Sequence, residues 1–242
     1  MSDNPRAMSV DQYDRGWETK WDDMKRHGPF SRHIRRLIMK TIRPLRFEDI
    51  LDAGCGQGSL LADLLVEFPA VTPYGTDVSQ SGLDLARQKV PSGTFSILDL
   101  AAGRLNRTFD LVICSEVLEH ILDDVTAIRN LAAMTRRYLV VTTVQGHMRR
   151  FEAGEVGHVR NYAPGELVGK IQASGMKIVA TIEWGFPFYS PLYRDVLDMA
   201  GGKGTTGEFG LIRKLLSTLL YFAFMLNSSK RGDEIVVLAE KA

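Results

Sequence analysis

The apolar positions of this chain fall into two rhythms. Short apolar runs at 47–52, 71–76, 94–98, 109–114 and 137–144 have the length of buried strands. Between them, 60–68 and 79–89 read as helices. A helix over 164–173 leads into a sixth strand at 177–184, and 234–240 closes the pattern as a short alternating strand. Strand and helix alternating at this pitch predict an α/β fold with a parallel, doubly wound sheet. Ahead of it, 10–24 and 30–42 read as two helices separated by Gly28-Pro29. Tyr13, Trp17 and Trp21 recur every four residues, which predicts one aromatic stripe on the first of them. The stretch 211–226 is too short, and too interrupted by Arg213 and Lys214, for a membrane span. It is nevertheless apolar nearly all round beyond Leu215, more than a helix lying on one sheet face needs. A core, a homodimer interface, a lipid pocket and peripheral contact with a membrane all stay open for it.

The turn after the first strand carries the chemistry. It reads Asp52-Ala-Gly54-Cys-Gly56-Gln-Gly58, with a helix following. A strand, a glycine turn and a helix N-terminus form a nucleotide-binding corner. The third glycine comes one residue too early for a dinucleotide fingerprint, and no lysine follows as in a phosphate loop. Asp52 at the strand end would repel a pyrophosphate and suits an amine-bearing, cationic ligand. Asp77 ends the second strand about 20 residues further on, where a carboxylate takes ribose hydroxyls. This ordered set resembles the class I S-adenosylmethionine-dependent methyltransferases over roughly residues 47–180. The resemblance implies a Rossmann-like seven-stranded sheet whose last strand is antiparallel and inserted between the fifth and sixth. It implies cofactor contacts from Asp52, Gly54, Gly56, Gly58, Asp77, Val78, Asp99, Leu100 and Ser115, with Asp99 and Leu100 at the adenine.

Methyl transfer from a sulfonium is an in-line displacement, for which proximity and alignment do most of the work. An oxygen nucleophile also gains from a base or a metal. After the fourth strand the chain reads Glu116-Val-Leu-Glu119-His120, three ligand-type side chains on what reads as one turn, and His158 follows later. These residues resemble the ubiquinone-pathway O-methyltransferases and the small-RNA terminal 2′-O-methyltransferases. The resemblance implies that Glu116, Glu119, His120 and His158 hold Mg²⁺ or Mn²⁺, a mixed oxygen and imidazole set suited to such ions. Metal-free relatives share the motif, with the histidine and glutamate shaping the site; in that case Glu116, His120 and His158 are the catalytic candidates here, with His120 or His158 as the base. His147 is a reserve candidate for the base.

The fifth and sixth strands are followed by a departure from the family pattern. Residues 185–233 stand where a short hairpin is usual, with an aromatic-proline entrance at 184–193 and a glycine-rich link at 201–210. The expected organisation is an N-terminal helical lid at 1–46, a core at 47–184 plus 234–242, and a substrate-side cap at 185–233. Five arginines, Arg32, Arg35, Arg36, Arg43 and Arg46, crowd the second helix and its exit. Net charge is +1, with no global pull towards nucleic acid, and no RNA-binding module is evident. Cys55 and Cys114 read as buried free thiols. The N-terminus is polar, without an apolar signal region, so the expectation is a cytoplasmic protein. The leading function is O-methylation of a small-molecule, sugar or lipid-linked acceptor. The alternatives are N- or C-methylation, RNA 2′-O-methylation, and cofactor binding without turnover.

Overall fold

A computed structural model describes residues 7–203 and 205–242; residues 1–6 of the expected lid and Gly204 of the glycine-rich link lie outside them. The sheet has seven strands: β1 (Asp49–Ala53), β2 (Thr72–Asp77), β3 (Thr94–Ile97), β4 (Phe109–Ser115), β5 (Thr135–Val144), β6 (Met176–Trp184) and β7 (Glu234–Lys241). Their order is β3-β2-β1-β4-β5-β7-β6. The first five pair in parallel, and β7 runs antiparallel between β5 and β6. Every expected strand is present, with ends shifted by a residue or two.

Parity along the central strands explains why they read as continuous apolar runs rather than as alternations. Leu51, Val112, Cys114, Val141 and Val237 face one core layer. Ile50, Leu111, Ile113, Val140 and Val236 face the other. A parallel sheet covered on both sides needs apolar residues on both faces. Helices α6 (Asp124–Met134) and α7 (Glu166–Ala173) cover the first layer. Helices α3 (Pro29–Ile42) and α4 (Ser59–Glu67) cover the second. Between β2 and β3 runs α5 (Gln80–Lys89), capped by the Ser79 hydroxyl, which accepts from the Gly82 amide at 3.1 Å.

The first N-terminal helix departs from expectation. Instead of one helix over 10–24 there are two, α1 (Val10–Thr19) and α2 (Asp22–His27). In an unbroken helix Tyr13 and Trp21 would stand about 12 Å apart along the axis. The break folds Trp21 back over Gly16, where a Cβ would lie 2.3 Å from its ring. Trp21 then meets Tyr13 at 5.9 Å and Trp17 at 5.5 Å between ring centroids, both edge-on. The aromatic residues thus form a cluster, not a stripe.

The insertion 185–233 holds an irregular turn at Phe188–Tyr193 and two helices, α8 (Arg194–Met199) and α9 (Leu211–Phe224). It is not a separate unit. Tyr189 and Phe224 are buried in the core layer with α3 and Trp184. His33 of α3 pins α9: its Nε2–H donates to the Tyr221 carbonyl at 2.8 Å, while its Nδ1 accepts from Arg36 at 3.2 Å. Burial lowers the His33 pKa to about 4, so the ring is neutral. Arg194, fully buried, bonds Glu152 through Nε at 2.7 Å and reaches Asp233 at the entrance to β7. No helix among the described residues is long and apolar enough to cross a membrane.

Candidate active site

A cavity of about 490 Å³ opens at the C-terminal ends of β1, β2 and β4, the usual ligand position in an open α/β sheet. Its wall holds Asp52, Asp77, Val78, Asp99 and Leu100 together with Tyr13, Trp21, Met24, Phe30 and Ile121. Gly54, Gly56, Ser115, Glu116 and His120 also stand on the wall. The geometry therefore gathers most of the expected cofactor set. Gly58 is the exception, because it lies off the wall at the start of α4, facing Ala86. Its φ of 79° suits a glycine where the turn enters the helix.

Two of the glycines on the wall are also required by the protein's own packing. Gly54 has φ 85°, and a Cβ there would lie 2.2 Å from the Val117 side chain. A Cβ on Gly56 would lie 2.3 Å from the Trp17 ring. Gly54 thus leaves room for Val117, and it also stands on the cavity wall. Trp17 also leans on Gly82, and Asp14 accepts from the Ser79 hydroxyl and the Ser81 amide at 2.5 and 3.0 Å. These contacts hold α1 down over the loop.

Asp77 is buried and accepts from the Gly56 amide at 2.8 Å and the Ser79 amide at 2.9 Å. Each carboxylate oxygen retains a second acceptor site for a hydroxyl. Burial, then the charge of Asp77, pushes the Asp52 carboxyl up to about 7. Lys25 of α2 also lines this wall, a cation the periodicity of the chain did not single out. Cys55 and Cys114 are both free, and burial raises both thiols. Cys55 sulfur fills the space above Gly75, where a Cβ would lie 2.8 Å from it.

Beyond β4 the expected cluster splits. Glu116 has φ 58°, a left-handed conformation that a side chain adopts at a cost of roughly 1 kcal/mol or more. Its carboxylate accepts from the Thr142 hydroxyl at 2.8 Å. Glu119 and His120 lie in the following tight turn, Leu118–His120. Ligand atoms of Glu119, His120 and His158 come within 4.8 Å of one another, and Glu116 stands outside that group. The turn of the backbone at Glu116 is the reason.

His158 and Glu119 sit behind His120, off the cavity wall. The two imidazoles meet edge-on at 4.9 Å between centroids. His158 Nδ1 is 3.1 Å from Asn161 Oδ1, and Asn161 in turn donates to Glu152 at 3.0 Å. A proton on His120 Nδ1 donates to the Gly157 carbonyl at 3.1 Å, leaving Nε2 as a bare acceptor 3.9 Å from Glu119 Oε1. That carboxylate oxygen is buried with no hydrogen-bond partner. Burial lowers His120 to about 4 and His158 to about 3, and raises Glu116 and Glu119 to about 7. His147 is exposed and off the wall, so the reserve base is withdrawn.

Two features escaped the sequence reading. Glu234 is fully buried, and burial with the charge of Glu116 holds its carboxyl well above the usual range. Its position follows from β7 being antiparallel: its first residue pairs with Val144, at the site end of the sheet. None of the described residues of the insertion lines the cavity, although it was expected to cover the acceptor side. It supports the site from behind, through Arg194, Glu152 and Asn161 to His158.

A family model described as a methyltransferase domain matches residues 51–137. A ubiquinone biosynthesis O-methyltransferase of Bordetella parapertussis is 30% identical over 129 residues, 50% of this chain and 52% of that protein. One from Vibrio campbellii is 32% identical over 117 residues, 45% of this chain and 48% of that protein. The chain thus spans about half the length of the curated relatives it matches. An N-methyltransferase from Bradyrhizobium japonicum, solved with S-adenosyl-l-homocysteine, shares the fold over 99% of both chains, with TM-score 0.62 and 17% identity. A magnesium protoporphyrin IX methyltransferase from Synechocystis does so over 98% of this chain and 89% of its own, with TM-score 0.54 and 17% identity. Residues 51–137 thus match a methyltransferase domain, and the fold is the one these solved methyltransferases share.

Proposed function

We propose that this chain transfers the methyl group of S-adenosylmethionine to an oxygen of a small-molecule, sugar or lipid-linked acceptor. The observation that carries the reading is a cavity whose wall combines Asp52, Asp77 and Asp99 with aromatic and apolar side chains and with Glu116 and His120. The named function of the Bordetella and Vibrio relatives supports oxygen as the acceptor atom.

In this reading Asp77 takes the ribose hydroxyls, and Asp52 faces the cationic amino-acid portion. The acceptor enters between the α1–α2 aromatics and Glu116. Its oxygen attacks the methyl carbon as the carbon–sulfur bond breaks, and its proton passes to His120 Nε2. Glu119 then stabilises the imidazolium it faces. The buried donor atoms of Glu119, His120 and His158 also fit a divalent cation such as Mg²⁺ or Mn²⁺. Bound there, the ion would grip the acceptor hydroxyl and acidify it.

Turnover of labelled S-adenosylmethionine with pooled phenolic and hydroxylated lipid acceptors tests this. His120→Ala should lower kcat by roughly 100-fold or more while leaving cofactor affinity within a few-fold. Unchanged kcat in that variant would remove His120 from the reaction, and transfer to amines alone would overturn the oxygen assignment. Loss of activity with chelator, restored by Mg²⁺ or Mn²⁺, would add the ion; chelator-resistant turnover leaves the base alone.

Cofactor binding should depend on pH. The Asp52 carboxyl, at about 7 in the empty cavity, is held in its charged form by a cationic ligand, so binding expels a proton. Affinity should therefore rise with pH, by at most about tenfold per unit from this group, and level off above about 7. Calorimetry in buffers of different ionisation enthalpy reads the released proton directly. A Kd that falls as the solution is acidified would contradict the assignment.

A further inference from the structure

Helix α9 is built inside out. A helix at a protein surface normally turns its apolar stripe to the core. Here Leu211, Ile212, Leu215, Leu216, Leu219 and Phe222 all point to solvent, each between 55% and 88% exposed. At 100° per residue they share one half of the helix, and Met225 and Leu226 extend it past the last turn. The inner side carries Phe224 and Leu220 with two polar contacts: Ser217 donates to the His27 carbonyl at 2.5 Å, and the Tyr221 carbonyl accepts from His33. A contiguous apolar face of this kind marks a surface that something apolar covers.

The surroundings say what covers it. Helix α9 packs on α3, and Arg32, Arg35, Arg36 and Arg43 of α3 line a cleft closed by Tyr221 of α9. Arg35 is paired with Asp63 and Arg43 with Glu67. Arg32 and Arg36 have no acidic partner among the described residues; Arg32 lies 4.0 Å over the Tyr221 ring. Lys40 and Lys214 are exposed nearby, and Lys230 and Arg231 follow the helix. A two-fold contact between copies would set this basic cleft against itself. Apolar side chains flanked by arginines and lysines match a layer that is apolar inside and carries phosphates at its surface.

We propose that α9 and the arginine cleft beside it form a docking face for a membrane containing anionic phospholipid. The apolar half of α9 enters the acyl region, and Arg32 and Arg36 take headgroup phosphates. Helices α2 and α3, on which α9 rests, also supply Met24, Lys25, Phe30 and Ile34 to the cavity wall. Docking would therefore set the closed side of the cavity next to the bilayer. The inference does not depend on the methyl-transfer reading, because membrane binding is measured without turnover.

The test is flotation of the full chain with vesicles of phosphatidylcholine alone and of phosphatidylcholine mixed with phosphatidylglycerol. The chain should float with the mixed vesicles, weakly with phosphatidylcholine, and less as salt is raised. Leu215→Ser, Leu219→Ser and Phe222→Ser together should cut the bound fraction roughly tenfold or more. Arg36→Gln with Lys40→Gln should bring binding to mixed vesicles down to that seen with phosphatidylcholine. Cofactor binding, unchanged in both variants, shows that they fold. Wild type that stays with no vesicle, or a triple serine variant that floats like wild type, overturns the proposal. A dimer in sedimentation that the serine variant dissolves, with no vesicle binding, would assign the face to a second copy instead.

Discussion

Gly54→Val is expected to abolish S-adenosylmethionine binding while leaving the sheet intact. Gly54 has φ 85°, and its missing Cβ would stand 2.2 Å from Val117. A β-branched residue is strained in that conformation before any contact is counted. Relief requires the loop to shift away from Val117, and both lie on the cavity wall. The Gly54 and Cys55 amides, which donate to the Thr76 carbonyl at 2.7 and 2.8 Å, would move with it. Calorimetry should show Kd weakened by at least about 100-fold, or ~2.7 kcal/mol, with a circular dichroism spectrum like that of wild type. A variant that folds and binds within about threefold of wild type would show that the loop yields without disturbing the ligand.

Arg194→Met is expected to give the largest loss of stability. The Arg194 guanidinium is fully buried, with Nε on Glu152 at 2.7 Å and Nη1 on Asp233. Glu152 also accepts from the Arg149 amide and from Asn161. Removing the cation leaves the buried Glu152 carboxylate without its ion-pair partner, at roughly 3–5 kcal/mol. In a chain of this size each kcal/mol lowers Tm by roughly 2–4 °C, so the fall should be on the order of 6–20 °C. Arg194→Lys should not restore it, because one ammonium cannot span both acids in the arginine's geometry. The same variant should disturb the Asn161–His158 contact and so slow turnover beyond what the lost stability explains. A Tm within about 2 °C of wild type would mean that water replaces the guanidinium at little cost.

The positive φ at Glu116 and the partnerless Glu119 oxygen mark where packing has been given up. Glu116 stands on the cavity wall, and Glu119 lies behind His120, which stands there too. Strain and unsatisfied polar groups persist when the surrounding structure holds them, and they concentrate at working sites. The acids there serve different ends. Glu116 faces the cavity, Glu119 faces His120, and Glu234 backs the pair from the antiparallel strand.

Local rules sufficed for the strands along the chain and the glycine corner, and the place of β7 in the sheet followed from the family resemblance. A run such as 109–114 is apolar at every position because both of its faces are covered, and that is written in neighbouring residues. Asp52, Asp77 and Asp99 were readable as cavity residues because each ends a strand or follows one, and parallel strands bring their ends together. Periodicity could not show that α1 and α2 break to fold Trp21 over Gly16, since that depends on where an indole finds room. Nor could spacing show that Glu116 turns away from Glu119 and His120, because one left-handed residue reverses the direction that spacing assumes. The insertion was legible by length but not by position. Whether its apolar helix covers the cavity or lies against α3 is decided by contacts between residues nearly two hundred positions apart, such as His33 and Tyr221. The sequence determined the elements, their order and the cofactor corner, all of which rest on residues close together in the chain. The tertiary structure alone decided which side chains share a site and which apolar face was left uncovered, because both depend on surfaces that meet only when the chain has folded.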